Sequence, residues 1–542
     1  MDMSAWLSAV KWLFLLAPVV CSFFAARGIL HYFQLESYQF PGYFRTLRRN
    51  RVHSMLPGLC VTVVCMLLYY ALYRLVLADN VNRTGAVLAL ALFLPVSALA
   101  GWGVCKAFSE KKEKKKFVLT GRVKRLYVVF FLVMTAVSYA LSRTPWGIMP
   151  ALWPLLLPFM VALSGLLAWP VEKAISECYF RDARRRLMAN PNLIRIGITG
   201  SYGKTSVKHI LGAILSEKYP TLITPASYNT PMGVTRAIRE KLTPSYQVFV
   251  GEMGARHVGD IREMCRLVRP TIGIITSVGP QHLDTFKTVE RVASTKYELI
   301  GALPEKESHA YFFDDGAFCT RMYQNTHKTK TLCGRNPETA DVWYDDVRVS
   351  AEGSAFMLHI RGRGSIECHT RLLGEHNITN ILLAAAVASD LRLTLKQIAH
   401  GVEKLQPVKH RLELLNNPGS FTIINDAFNS NPVGARAALQ VLKGFPSRRI
   451  IITPGMVELG QREDEYNREF GREMAGCVDI AIVVGKNRVQ PIIDGLREAG
   501  FPEDAVHRVD SLDRSTELLH SLVLPTDTVL YENDLPDHYQ EA

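Results

Sequence analysis

The stretch GITGSYGKTS at 197–206 sets glycines, a lysine and hydroxyls in an order suited to one task, the holding of a phosphate chain. IRIGITG reads as a strand and SYG as a turn. KTSVKHILGAIL reads as a helix with Val207, Ile210, Leu211 and Ile214 on its apolar face. Glycine lets backbone N–H groups converge on phosphate oxygens, and a helix N-terminus adds its dipole. Gly200, Ser201, Tyr202, Gly203 and Ser206 would line that cradle. Lys204 would reach the β- and γ-phosphates of ATP, and the Thr205 hydroxyl would ligate Mg²⁺. The spacing is GxxGK[ST], with Ile198 where the longer GxxxxGK[ST] pattern has its first glycine. The competing reading is an ordinary strand–helix turn, and GKT at the head of the helix disfavours it.

A phosphate loop needs a buried parallel sheet beneath it. From residue 193 onward, continuous apolar runs alternate with helix-length segments: LIRIGITG, YQVFVGEMG, TIGIITSVG, then FTIINDAF, RIIITPGM, DIAIVVGK and DTVLYEN. Strands covered on both faces read this way, which predicts mostly parallel α/β sheets. Residues 341–370 alternate and are punctuated by glycine, so antiparallel hairpins are expected there, set into the first α/β unit. The sequence divides into a membrane region at 1–190, an ATP-binding central domain at 191–405 and a C-terminal Rossmann-like α/β domain at 406–542.

The first third has another character. Five apolar runs, 5–30, 55–78, 85–104, 126–141 and 147–169, approach the roughly 17–25 residues of a spanning helix. The first lacks a basic leader and is followed by further runs, so it is expected to stay uncleaved. Three loops beside these runs carry 18 Lys/Arg against 6 acids, nearly the whole formal net charge of +13. Basic loops stay cytoplasmic. Five crossings then put the N-terminus outside and everything after residue 170 in the cytosol. The charge excess faces lipid headgroups, and no RNA-binding motif accompanies it, which argues against a nucleic-acid partner. Ten cysteines form no CxxC pair, and those beyond the apolar third, facing a reducing cytosol, are read as free thiols.

Further motifs follow the loop in order: NTPMG (229–233), GEMGARHVGDI (251–261), GPQHLDTF (279–286), STKYELI (294–300), GEHNITN (374–380), HRLE (410–413), NDAFNSNP (425–432) and GMVELG (455–460). As a set they resemble the Mur ligases, ATP-dependent amide ligases of peptidoglycan precursor synthesis. The likeness is greatest to the branch that adds a D-alanyl-D-alanine dipeptide to a muramoyl tripeptide. The resemblance implies that Thr205 and Glu252 hold Mg²⁺, and that His282 binds a second Mg²⁺ near an acyl phosphate. It implies that Lys296 is carbamylated, an anion in place of an ammonium that has no lone pair to give a metal. Asn377 and Asn380 would contact the nucleotide from the helix they open. Arg411 would reach the phosphates when the C-terminal domain closes, and Asp426 and Asn429 would lie at the ribose and the site wall. Lys204, His282, Lys296 and Arg411 form the catalytic set. Taken singly, each of these has a bland reading: a loop histidine, a surface charge, a solvated lysine, a helix cap.

The chain departs from the family at three places. The membrane region stands where the family has a small UDP-binding domain. A basic Gly-Ser-Arg type motif after the last strand is replaced by LYENDLPDHYQEA, and a family histidine after GMVELG by Asn467. The expected activity is a membrane-anchored, Mg·ATP-dependent amide ligase acting on a cell-envelope precursor, with an amino acid or dipeptide as the other substrate. The acceptor could be polyprenyl-linked, and the membrane region could dock other enzymes of envelope synthesis or serve only as an anchor. Alternatives are a ligase of a poly-γ-amino acid or another envelope glycan, and a nucleotide-gated membrane scaffold. The scaffold reading would predict a damaged site, yet Lys204, Glu252, His282 and Lys296 are all present.

Overall fold

A computed structural model describes residues 3–76, 83–108, 117–143, 149–225, 228–350, 353–416, 421–427, 430–486 and 488–534. The chain separates into two compact units, Met1–Glu177 and Cys178–Ala542.

The first unit is helical. Among the described residues, four helices are long and apolar enough to cross a membrane: Arg51–Leu72, Leu90–Phe108, Gly121–Ser142 and Trp153–Met188. The first apolar run is not one straight helix. It is the pair Val10–Ala25 and Arg27–Leu35, bent by 47°, and the total is five only if that pair counts as one span. The helices bury Ala17, Cys21, Phe130 and Met134 against one another and leave Leu67, Leu99 and Leu132 exposed. That is the inverse of a water-facing surface. Where the first helix meets Arg83–Phe108, a side chain on Gly101 would strike the Cys21 carbonyl, so a glycine permits the close crossing. Glu172, buried, takes a two-point contact from Arg125 at 2.5 and 2.9 Å. The short helix Phe40–Arg49 buries Tyr43, Thr46 and Leu47 and exposes Phe44, Arg45, Arg48 and Arg49.

The second unit contains two sheets. The larger joins β1 (Ile194–Thr199), β2 (Thr221–Ile223), β3 (Val248–Glu252), β4 (Ile272–Ile275), β5 (His309–Phe313), β6 (Lys330–Cys333), β7 (Val342–Ser350), β8 (Gly353–Ile360) and β9 (Gly364–Thr370) in the order β2-β3-β1-β4-β5-β6-β7-β8-β9. The seven strands from β2 to β7 in that order run parallel, β8 pairs antiparallel with β7, and β9 antiparallel with β8. The hairpins expected at 341–370 therefore extend the central sheet. The helices Lys204–Leu215 and Glu375–Asp390 cover one face, while Asp260–Val268 and Val289–Gly301 cover the other. β1 lies between β3 and β4, so the strand order reverses at its carboxyl end, where open α/β sheets place their ligands.

The smaller sheet holds β10 (Glu413–Asn416), β11 (Thr422–Asp426), β12 (Arg449–Thr453), β13 (Ile480–Val484), β14 (Val506–Val509) and β15 (Thr528–Glu532) in the order β10-β11-β15-β12-β13-β14. Only β10 is antiparallel. The helices Glu463–Ala475 and Gln490–Glu498 pack so closely on one face that a side chain on Gly495 would enter the Arg468 carbonyl. Gly495→Ala is expected to cost about 1–3 kcal/mol by forcing them apart. Gly476→Ala, whose Cβ meets nothing nearer than 4.0 Å, should be near neutral. Thermal midpoints of the two variants, measured side by side, check this; equal midpoints would contradict it.

Candidate functional site

The phosphate-type loop forms as its glycines require. Gly203, at φ +78°, caps the helix Lys204–Leu215, and a side chain there would sit 2.6 Å from Asn380 Oδ1. At Gly200 it would collide with Thr276 Oγ1. The segment after β4 anchors the loop: Ser201 N–H donates to the Ser277 carbonyl at 2.7 Å, and Tyr202 OH to that of Pro280 at 2.8 Å. Ser201 Oγ is turned to Gly279 and buried, so its side chain braces the loop. Lys204 Nζ curls over the loop, donating to the carbonyls of Gly200 and Ser201 at 2.7 and 3.0 Å. Burial lowers its amine to about 8; the Glu252 charge opposes that shift and Arg411 adds to it.

Glu252 ends β3 almost wholly buried. Its oxygens accept from Thr205 Oγ1 at 3.1 Å each, from Lys208 Nζ at 3.0 Å and from Asn229 Nδ2 at 3.3 Å. Burial pushes the carboxyl up, but the charges of Lys208 and Lys204 and the hydrogen bonds from Lys208 and Thr205 outweigh it and hold the group below the usual value. Lys208 is 0% exposed and Glu252 1%, so the pair is fully desolvated. Reading the sequence missed Lys208. The available signal was its spacing of four from Lys204, which puts both amines on one helix face.

His282 and Lys296 complete the central half. His282 Nδ1 lies 2.6 Å from Glu458 Oε2, a residue of the C-terminal domain that also escaped the sequence reading as a site residue. Burial lowers the His282 pKa; Glu458 opposes this, and Arg256 and Lys204 reinforce it. Lys296 lies on the helix Val289–Gly301 and is 1% exposed, not on a solvated face. Burial drives its amine well below the ordinary lysine value; Lys204 pushes the same way and Asp260 opposes. Lys204 is thus the charge that Glu252, His282 and Lys296 all feel.

A cavity of about 1360 Å³ opens beside the loop. Gly203, Tyr202 and Ser206 form its floor, with Asn377, Asn380, Arg411 and Asp426 in its walls. Lys204, Thr205, Glu252, His282 and Lys296 do not line it, so the expected residues fall into two groups on either side of the loop backbone. Asn377 does not open its helix. The cap is Gly374, at φ +86°, and Asn377 Nδ2 donates to the Leu373 carbonyl at 2.8 Å. Burial makes Arg411 less basic, countered by Asp426 and Glu252, and raises Asp426 to about 6 against the pull of Arg411 and the Leu412 N–H. Asn429 lies outside the described residues.

Two results are expected. Lys208→Met leaves the Glu252 carboxylate buried without its cation, at a cost of about 3–5 kcal/mol. It should lower the unfolding midpoint of the detergent-solubilised chain, and Glu252→Gln added to it should restore most of the loss; an unchanged midpoint would contradict the pairing. Lys204 loses its proton as pH rises through about 8 in the ligand-free chain, so affinity for a non-hydrolysable ATP analogue should fall across that range. A flat affinity profile would contradict it.

Comparison with known proteins follows the same division. The Mur ligase middle domain model matches residues 198–388, and the model of the Mur ligase glutamate ligase domain matches 410–531. A UDP-N-acetylmuramoyl-tripeptide--D-alanyl-D-alanine ligase of Escherichia coli (strain K12) is 31% identical over 294 residues, spanning 54% of this chain and 64% of that one. The enzyme of that name from Mycobacterium tuberculosis (strain CDC 1551 / Oshkosh) is 32% identical over 362 residues, spanning 62% and 69%. Among solved structures, MurF from Acinetobacter baumannii superposes with a TM-score of 0.60 at 26% identity, covering 66% of this chain and 77% of that chain. With both domains matched in order and the phosphate loop, Glu252, His282 and Lys296 gathered at the sheet's switch point, the chain belongs to the Mur ligase family of ATP-dependent ligases.

Proposed function

We propose that the chain joins an amine to a carboxylate at the expense of ATP, with an acyl phosphate between the two steps. The carboxylate takes the γ-phosphoryl group and ADP leaves; the amine then attacks the acyl carbon and phosphate leaves. Such transfer depends on positioning and on charge around the phosphoryl oxygens. The observation that carries the reading is the convergence of Thr205 and Lys204 on the buried Glu252 beside a cavity of nucleotide size.

The loop backbone and Lys204 bind the phosphates. Thr205 Oγ1 and the Glu252 oxygens, hard donors 3.1 Å apart, suit Mg²⁺. Among the described residues no group of three or more His, Cys, Asp or Glu forms a closed metal cage. An ion bound by one or two protein oxygens and completed by phosphate fits that sparse set. Mg²⁺ there would neutralise charge developing on the transferred group. Lys296, whose amine burial makes much less basic, would add CO₂ to become a carbamate, and with His282 would hold a second ion near the acyl group. Asn377, Asn380, Asp426 and Asn429 would hold the nucleoside, and Arg411 would bring the C-terminal domain onto the phosphates and exclude water.

The names of the relatives support D-alanyl-D-alanine and a muramoyl tripeptide as substrates. The apolar helices, and the helix Phe40–Arg49 with exposed Phe44 beside Arg45, Arg48 and Arg49, support attachment to the inner leaflet. A membrane-held ligase would meet a polyprenyl-linked acceptor there.

Mass spectrometry of the products tests the reading on the purified full chain with Mg·ATP. The acceptors are UDP-linked and polyprenyl-linked muramoyl tripeptide, each with D-alanyl-D-alanine and with single amino acids. A mass gain by one dipeptide on either acceptor is expected. Gain on the lipid form alone gives the membrane unit a substrate role, gain on the UDP form removes that role, and no amide with any pair would sink the ligase reading. Lys296→Ala should lose most activity and regain part of it with short-chain carboxylic acids; full activity without them would remove the carbamate.

A further inference from the structure

His282 and Glu458 face each other across the junction of the central and C-terminal domains, and both hold backbone conformations unusual for their type. His282 has φ +52° and Glu458 φ +66°, the left-handed region that few residues other than glycine adopt. Three contacts meet at this pair. Glu458 Oε2 lies 2.6 Å from His282 Nδ1, the Glu458 carbonyl accepts from Leu283 N–H at 3.1 Å, and Arg256 reaches Glu458 Oε1 at 3.7 Å. Behind the loop, buried Asn467 clamps Met456 from both sides: its Oδ1 accepts the Met456 N–H at 2.9 Å, and its Nδ2 donates to the Met456 carbonyl at 3.0 Å. Glu458 is thus a carboxylate on a braced loop of one domain, aimed at a histidine of the other.

A carboxylate accepts, so the proton of the ring lies on Nδ1 and the lone pair on Nε2. That is the tautomer a metal ion needs, and ligating histidines are commonly oriented by such a carboxylate. We propose that Glu458 is a positioning residue that couples closure of the C-terminal domain to the readiness of His282. Only when the two domains meet is the ring held in one tautomer and one orientation. An open chain would then bind ATP on the central domain without a competent acyl-phosphate site, which keeps the nucleotide from being spent on water. This rests on the role given to His282 in the proposed ligase reaction.

The test combines kinetics with a distance. Glu458→Ala is expected to lower kcat about 10–100-fold and to leave KM for ATP within about threefold, since ATP contacts lie elsewhere. Glu458→Gln keeps an acceptor oxygen and should stay within about fivefold of wild type. In a His282→Ala background, Glu458→Ala should change kcat by less than about twofold, because the two residues act as one unit. Spin labels at exposed Lys306 and Asp504 read domain separation without turnover: with a non-hydrolysable ATP analogue, the wild type should give one short distance and Glu458→Ala a longer population. Multiplying losses in the double variant, or an unchanged distance distribution, would overturn the proposal. A wild-type chain that makes no amide would instead count against the ligase reading, and the distance measurement then decides the coupling alone.

Discussion

A buried carboxylate cannot stay ionised without partners, and the catalytic half is organised around that constraint. Glu252 ends a central strand inside the protein and is met there by Lys208, Thr205 and Asn229. Two of these three partners, Thr205 and Lys208, sit on the helix that follows the phosphate loop, so satisfying the charge also fixes that helix against β3. The loop's second anchor is the segment after β4. With both flanks tied, the glycines at 200 and 203 have one conformation to adopt, and the loop backbone is set before any ligand arrives.

The same burial tunes the bases around it. The charge of Lys204 acts on both His282 and Lys296, and each of the three is less basic than in water. A site so poor in compensating negative charge favours a polyanion, and ATP with a carboxylate acceptor is one. The C-terminal domain supplies the other wall through Arg411, Asp426 and Glu458. Neither domain holds the whole set, so on the proposed reading transfer would require their meeting, while the central domain could begin binding alone.

Much of this was legible in the sequence, for identifiable reasons. The seven apolar runs named as strands became β1, β3, β4, β11, β12, β13 and β15, because buried parallel strands carry continuous apolar residues. β2, β5, β6, β10 and β14 were not among them: four of these are three or four partly polar residues, and β5, HAYFF, is a short run that was passed over. The loop chemistry was readable because its spacing is local. Lys208 was not, since a lysine beside an apolar helix face looks solvated until the sheet shows what lies under it. Glu458 stands 176 positions from its partner, a distance only the fold closes. Hydropathy found five apolar runs but carries no information on the 47° bend that interrupts the first. Asn377 looked like a helix start because asparagine favours caps, while Gly374 takes that place three residues earlier.

The central claim is that a carboxylate oxygen becomes bonded to the γ-phosphorus of ATP. The most direct measurement uses an acceptor with ¹⁸O in both carboxylate oxygens and follows the label into inorganic phosphate by mass spectrometry during one turnover. One ¹⁸O per phosphate released, matched to one amide formed and one ADP, is the result predicted. Amide formation with unlabelled phosphate, or with AMP and pyrophosphate as products, would contradict the account.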